Sequence, residues 1–423
     1  MLAISRGYLL FVLTAAYALS FVDRQILSLL VVPVKRELSL TDLQIGLLQG
    51  LAFALLYMLL GLPFGRLVDR HKRKRIILGG IGLWSMMTAA CGLPRNFGEL
   101  FLARIGVGVG EASLQPAAYS LLADTYPPDK LSTALSIFSM GAWLGVGSAF
   151  LLGGRVTEIA ETIAAVSGLN WSGWRLLFIM LGTLGLPICF LVFFFREPAR
   201  RHSAQSLTIA ETGRFLKARA SLIAPLFLGY SLILLNVYAF LAWSPALLVR
   251  TYGWTPPQVG HALGLCALLL CPVGALIGGT IADRLVRSGR LAGPVIVGIA
   301  ETAMLLPCLS GLAFVHTGSA TIALLAACFF LGPLSLGSAI AAVQLLTPPH
   351  FRGQVSAVYL LVTSLIGVAG GPALTAFYTD YVLVDELRVN DSLALTSATV
   401  LPFAFLFLFV AWRRFSMSES DTS

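Results

Sequence analysis

Of 423 residues, 57% are hydrophobic and only 12% charged, where an ordinary soluble domain has roughly 45–50% and about 25%; a water-soluble fold is excluded. The mean hydropathy of +0.86 over the whole chain cannot come from one anchor of about 20 residues, so the apolar character is spread along its length. The net charge of +9, from 29 Lys plus Arg and 20 Asp plus Glu, reads as basic loops of a polytopic membrane protein and not as a nucleic-acid surface.

Charges and Pro, Gly and Asn clusters divide the chain into twelve apolar spans, at 7–32, 41–64, 75–93, 98–125, 131–154, 174–195, 221–248, 258–282, 293–314, 319–346, 353–376 and 394–412. Each can cross about 30 Å of hydrocarbon at about 1.5 Å per residue. Helices are expected throughout, because barrel strands would alternate in short segments and lipid leaves the backbone no other way to satisfy itself. In span 1, Ala16-Tyr17-Ala18 imitates a signal-peptidase site, but the apolar run continues past Asp23-Arg24 to Val34, so it is retained as a span. The six cysteines all fall in apolar runs without a CxxC and read as small core hydrophobes; no metal or cofactor is expected.

Summing Lys and Arg on alternate sides, with the amino terminus inside, gives 20 on the inner side and 7 on the outer, with Arg24 and Arg104 inside the membrane. Both termini are therefore expected in the cytoplasm.

The linker 196–220 divides the chain into an amino-terminal bundle, 1–195, and a carboxyl-terminal bundle, 221–423, of six spans each. The halves echo one another. Gly65-Arg66-Leu67-Val68-Asp69-Arg70 after span 2 recurs as Gly279-Thr280-Ile281-Ala282-Asp283-Arg284 after span 8, and Tyr126-Pro127-Pro128 after span 4 as Thr347-Pro348-Pro349 after span 10. Two echoes in one order imply a duplicated unit with a binding cavity between the copies. In the repeated turn, glycine would let two helices approach closely while the acid accepts hydrogen bonds or pairs with Arg. Gly65, Asp69, Arg70, Arg73, Asp283 and Arg284 are thus candidates for a cytoplasmic gate.

With twelve helices, a six-plus-six duplication and the loop from Gly65 to Lys74, the chain resembles the major facilitator superfamily over essentially its whole length, although Lys72 stands where that loop usually has Gly. The resemblance implies an all-α fold of two pseudo-symmetric six-helix bundles.

A charge deep in a span is costly and is a functional candidate by default. Span 1 offers Asp23 and Arg24, span 4 Arg104 and Glu111, and span 9 Glu301. Asp23 lies about 12 residues below Lys35 and Glu111 about 13 below Gly98, which puts both roughly 18–20 Å in. The two acids and two arginines are expected to form one buried cluster. Desolvation favours the protonated form of a carboxyl and a nearby Arg the ionised form, so moving the Arg exchanges a proton. Glu301 reads as either a locally satisfied acid or one snorkelling to the lipid surface.

Further polar residues recur at helical spacing. Tyr17, Ser20 and Ser28 accompany Arg24 on span 1, and Ser132, Ser136, Ser139 and Trp143 lie on span 5; Asn236 and Tyr238 follow on span 7, Gln344 on span 10, and Tyr359 and Thr363 on span 11. Apart from Ser28 and Ser132 these are the candidate cavity residues. They give one polar, charged wall and one largely apolar wall, a shape suited to amphipathic cargo. Gly106-Val107-Gly108-Val109-Gly110 imitates a nucleotide loop but lies within a span with no preceding strand, so close helix packing is its expected role. No GxxxxGK[ST], nucleophile elbow or HExxH occurs, so neither ATP-driven transport nor an enzyme is expected.

Arg104-Ile105-Gly106-Val107-Gly108-Val109-Gly110-Glu111-Ala112, then Pro116 and Asp124-Thr125-Tyr126-Pro127, together with Asp23-Arg24, resemble the Spinster family of lipid transporters, here in a bacterial form. Ser20-Phe21 stands in place of its usual Asn-Tyr. The resemblance implies that Asp23 and Glu111 are proton-responsive acids, that Arg24 and Arg104 are their switching partners, and that relatives carry a lysophospholipid or sphingolipid type of substrate. The alternative is an organic anion:cation symporter, a sister family with the same Asp-Arg and Gly-Glu-Ala, in which the arginines would clamp a small carboxylate. The expected partners are an amphipathic substrate, protons and membrane lipids, with the protein a monomer.

Overall fold

The computed structural model describes residues 6–166, 171–195, 197–198, 209–348 and 351–420. The side chains of Asp69 and Ser132, and residues 196 and 199–208 of the linker expected at 196–220, lie outside the described residues. Among the described residues every regular element is helical. In chain order these are α1 (Arg6–Leu29), α2 (Val31–Leu38), α3 (Asp42–Gln49), α4 (Leu51–Arg70), α5 (Arg73–Ala90), α6 (Phe97–Glu111), α7 (Leu114–Thr125), α8 (Pro128–Val166), α9 (Gly173–Thr183), α10 (Gly185–Phe194), α11 (Ile209–Ala218), α12 (Ala220–Tyr252), α13 (Pro256–Arg287), α14 (Gly293–Ser310), α15 (Gly318–Leu331), α16 (Leu336–Leu346), α17 (Arg352–Thr363), α18 (Ala369–Phe377) and α19 (Val389–Ser420).

Ten stretches are long and apolar enough to cross a membrane. The other two expected spans fall short for visible reasons. α5 opens on Arg73-Lys74-Arg75, and span 4 carries Glu99, Arg104, Glu111 and Asp124.

Several spans read from the sequence as continuous helices are broken, and proline sets the place. Its ring clashes with the carbonyl four residues earlier. Spans 1, 4 and 6 leave α-helical geometry within a residue of Leu29, Ala112 and Thr183, four residues before Pro33, Pro116 and Pro187, and span 11 departs from it in a stretch that ends at Val368, four residues before Pro372. The last of these is a π-helical stretch, Ser364–Val368. Span 10 parts at Gly332-Pro333, between α15 and α16. The helices run on through Pro63, Pro245, Pro272 and Pro402, as they can in a membrane when neighbouring groups satisfy the freed backbone. Both Tyr126 and Thr347, which close α7 and α16 before the echoed prolines, have extended backbones, the conformation a following proline imposes.

The chain forms two compact units, Met1–Ala204 with Gly253–Leu268, and Gln205–Tyr252 with Leu269–Ser423. The first unit is locked at both ends by charge. At one end Lys35 donates to the buried Asp42 at 2.7 Å, and Glu37 accepts from Arg175 at 2.7 Å and from the Trp174 indole at 2.5 Å. The second unit is stapled by hydroxyls and backbone oxygens: Thr375 to Thr396 at 3.0 Å, Thr379 to Ser392 at 2.7 Å, Ser310 to Ser397 at 3.1 Å, and Trp243 Nε1 to the Pro372 carbonyl at 3.0 Å. With no hydrophobic drive between helices in lipid, such contacts and close packing carry association.

Candidate functional site

The first unit's buried charges in this region come from α1 and α6, surrounded by aromatic and polar groups of α4, α5 and α7. The Gly-Val-Gly-Val-Gly run of α6 makes this possible: a Cβ on Gly108 would stand 2.5 Å from the Phe53 carbonyl oxygen of α4, and one on Gly110 2.6 Å from the Trp84 nitrogen of α5. The run acts as a packing surface, as expected.

Arg24 and Glu111 form the centre. Arg24 Nη2 and Nε lie 2.6 and 2.7 Å from Glu111 Oε2, and the Glu111 side chain is fully buried while that of Arg24 is 15% exposed. The guanidinium lies 4.0 Å from the ring centroid of Phe53, 4.6 Å from Phe21 and 4.8 Å from Tyr57, an aromatic cage that favours a desolvated cation. Asp23, 1% exposed, accepts from Thr88 Oγ1 at 3.1 Å through Oδ2. Arg104, also 1% exposed, donates to the Asp23 backbone carbonyl at 3.0 Å and to the Leu48 carbonyl at 3.4 Å. Asp23 Oδ1, Glu111 Oε1 and Arg104 Nη2 have no hydrogen-bond partner among the described residues.

The four groups expected together are thus brought together, with two refinements. Arg24 pairs with Glu111 on the facing span and not with its neighbour Asp23, and Arg104 holds the Asp23 backbone, not its carboxylate. Adjacent residues on a helix point about 100° apart, so sequence adjacency says little about pairing. The sequence reading also missed Gln115 and Tyr57. Tyr57 Oη donates to Gln115 Oε1 at 2.7 Å, and Gln115 Nε2 donates to Tyr17 Oη at 2.6 Å, a polar chain running on from the caged Arg24. The available signals were Gln115 one turn after Glu111 and Tyr57 one turn after Phe53.

Of the candidate cavity residues, Tyr17 is buried in that chain and stacked on Phe138 at 4.6 Å. Ser20 is buried and donates to the Tyr17 carbonyl of its own helix at 2.9 Å, so its hydroxyl is spent locally and does not present itself to a ligand. Ser136 and Ser139 are exposed and Trp143 half-buried. In the second unit Tyr238 is half-buried and Gln344 exposed. Asn236 is buried, with Nδ2 on the Leu232 carbonyl of its own helix at 3.1 Å. Thr363 donates to the Tyr359 carbonyl at 2.9 Å, and Tyr359 packs edge-on to Phe227 at 5.2 Å. Helical spacing put these polar groups on one stripe, but helix-internal bonds absorb Ser20 and Thr363. Two cavities in the first unit, of about 660 and 610 Å³, are lined by other residues: Leu151, Arg155, Trp254 and His261 among them in the larger, and Phe64, Arg70, His71, Lys72 and Arg75 in the smaller.

At the basic end of the first unit Arg73 is the hub and is fully buried. Its guanidinium binds the Asp124 carboxylate, Ser120 Oγ at 3.0 Å, Glu197 Oε1 at 3.1 Å and the Pro198 carbonyl at 2.8 Å. Glu197 also accepts from the Arg73 and Lys74 backbone N–H groups at 2.9 and 3.3 Å, capping α5 where the helix dipole favours an anion. Partial burial opposes the ionised form of Glu197, but these donors outweigh it and hold the carboxyl below its usual range. Asp124 and Glu197 were not among the expected gate residues; their signal was an acid at the inner end of span 4 and another just past span 6.

The other gate residues stand differently. Arg70 is exposed on the smaller cavity, and Asp283 and Arg284 are exposed at the end of α13. Among the described residues a Cβ on Gly65 or Gly279 would meet nothing within 4 Å, so no close helix approach is seen at these glycines. In the second copy it falls one residue earlier, where a Cβ on Gly278 would be 1.9 Å from the Leu334 carbonyl oxygen. Lys72, at the position where Gly is usual, has φ −67° and ψ 114°, a conformation any residue adopts.

A multi-pass helical bundle that turns its charges inward toward one another, away from lipid, has the architecture of a membrane transporter. The family model described as Major Facilitator Superfamily matches residues 13–372, and the chain belongs to that superfamily, in its Spinster-like branch. It is 31% identical over 382 residues to an MFS-type efflux pump of Mycolicibacterium smegmatis, covering 89% of this chain and 85% of the pump. It is 30% identical over 419 residues to Protein spinster homolog 1 of Mus musculus, covering 89% of this chain and 74% of that protein. The crystal structure of a bacterial homologue of the human lysosomal transporter Spinster, inward-facing and unoccupied, matches with a TM-score of 0.82 at 25% identity and 98% of both chains.

Proposed function

We propose that this Spinster-like transporter is proton-coupled, works by alternating access between two six-helix halves joined by the linker near 196–220, and carries an amphipathic, lipid-like substrate of the lysophospholipid or sphingolipid type. The observation that carries the coupling is the buried Arg24–Glu111 pair at 2.6 Å beside the buried Asp23. Protonating Glu111 removes the charge that holds Arg24, and removing a partner from a buried pair is worth several kcal/mol, roughly 3–5. That is enough to shift a balance between inward and outward states. The aromatic rings that already surround the guanidinium stabilise it when Glu111 lets go. The gating residues at the basic end are Arg73 with Asp124 and Glu197, together with the Asp69-Arg70 turn and its copy at Asp283-Arg284. The excess of Lys and Arg on that side puts both termini in the cytoplasm of a bacterial inner membrane, with the chain acting as a monomer.

The lipid-like cargo is favoured by uncharged polar groups among the second unit's candidate residues, Asn236, Tyr238, Gln344, Tyr359 and Thr363. The alternative, an anion symporter, would need Arg24 and Arg104 to clamp a carboxylate, yet Arg24 is taken by Glu111 and Arg104 is 1% exposed. Purified protein in proteoliposomes under an imposed proton gradient separates the two. Saturable, gradient-dependent movement of a lysophospholipid or sphingosine-type lipid is expected, and movement of small organic acids alone overturns the cargo assignment.

A further inference from the structure

Glu301, eight residues into α14, stands outside everything proposed above. It is 0% exposed. Its Oε2 accepts the Ser335 backbone N–H at 2.7 Å, where span 10 breaks and α16 begins, and among the described residues its Oε1 has no hydrogen-bond partner. Complete burial rules out snorkelling. The echo between halves, Tyr126-Pro127 to Thr347-Pro348, has an offset of 221, which carries Glu301 back onto Gly80. Gly80 likewise packs on a break, since a Cβ there would meet Ser113 Oγ at 1.9 Å. The second unit therefore puts a carboxyl where the first has only a hydrogen.

No Lys or Arg pairs with it among the described residues. α12 brings the Tyr230 phenol, whose Oη is held by the Pro294 carbonyl at 3.0 Å, and α17 the phenol of Tyr359. α15 has Cys328 as its one titratable residue and α16 has none. In α19, which also packs on α14, charges occur only toward the ends, at Asp391, Arg413, Arg414 and Glu419. A lone carboxylate in such a place is strongly penalised, and one N–H at a helix start supplies only a fraction of a compensating charge.

We infer that Glu301 is a second proton-binding site, in the second unit, whose bound proton neutralises the acid that caps the break of span 10. The cap and the proton compete: the Ser335 N–H stabilises the anion, so any motion of α16 against α14 changes the affinity for the proton.

The test compares wild type with Glu301→Gln in detergent by thermal unfolding across pH, alongside labelling by dicyclohexylcarbodiimide, an apolar reagent that attacks protonated carboxyls. A proton bound in the folded state means that wild type loses stability relative to Glu301→Gln as pH rises above about 4.3, the unfolded carboxyl value. The label should then map to the peptide containing Glu301, fade at alkaline pH and be indifferent to sodium. The opposite slope, wild type gaining on Glu301→Gln as pH rises, makes the group an ionised structural cap and overturns the inference. Protection from the label by sodium but not by choline assigns a metal cation instead and also overturns it. Because the readouts are specific to Glu301, their outcome is independent of whether Asp23 and Glu111 couple protons.

Discussion

The two units solve one problem in different ways. Each breaks a span, the fourth or the tenth, beside a proline, and each brings a buried carboxylate to the break. In the first, Glu111 ends α6 and meets the Arg24 guanidinium at 2.6 Å; in the second, Glu301 reaches from α14 to uncharged groups of Ser335, its backbone N–H at 2.7 Å and its hydroxyl. The same contrast holds at the ends of the repeated turn. Arg73 is buried among five oxygen atoms, whereas Arg287, its counterpart by the offset of 214, is exposed. Duplication reproduced the helices and their breaks, but the buried pairs Arg24–Glu111 and Arg73–Asp124 belong to the first copy. An ion pair can be switched by a proton, and hydroxyl staples such as Thr375 to Thr396 cannot.

The contrast can be broken in graded steps. Arg24→Ala leaves Glu111 buried without its cation and should cost about 3–5 kcal/mol in thermal unfolding, with loss of transport. Adding Glu111→Gln should recover most of the stability but no pH response. Arg73→Ala should destabilise by a comparable or slightly smaller amount, about 3 kcal/mol, while Arg287→Ala should stay within about 0.5 kcal/mol; equal effects would erase the distinction between the basic ends.

Glu197→Gln should cost roughly 1–2 kcal/mol near neutral pH. Since the folded carboxyl titrates below its unfolded value, that advantage of wild type holds above about pH 4.3. It disappears as the pH falls through the lower folded value, which unfolding midpoints across an acid series will register. Two glycines of the first unit differ in the same way. Gly108→Ala, whose Cβ would press on the Phe53 carbonyl at 2.5 Å, should cost about 1–3 kcal/mol. Gly65→Ala, with open space around it, should be neutral or stabilising by up to about 1 kcal/mol.

Much of this was legible in the residue order. The spans follow from apolar runs, and Asp23, Arg24, Arg104 and Glu111 stand out because charge in a span is expensive. The breaks were also written there, in Pro33, Pro116, Pro187 and Pro372, though reading each span as one continuous helix passed over them. What could not be read depends on how helices are turned about their axes. The cross-pairing of Arg24 with Glu111, the burial of Ser20 against its own helix and the Tyr57–Gln115–Tyr17 chain are all settled by rotation and packing, to which spacing along a single helix is blind. Arg73 looked like one of several loop cations because its partners Asp124 and Glu197 lie 51 and 124 residues away.

The most direct measurement is the pH dependence of transport in proteoliposomes for wild type, Asp23→Asn, Glu111→Gln and the double variant. The account predicts a pH-dependent rate for wild type, a weakened dependence in each single variant and a flat profile in the double variant with measurable transport remaining. A double variant that keeps the wild-type profile would place the titrating groups elsewhere and contradict it.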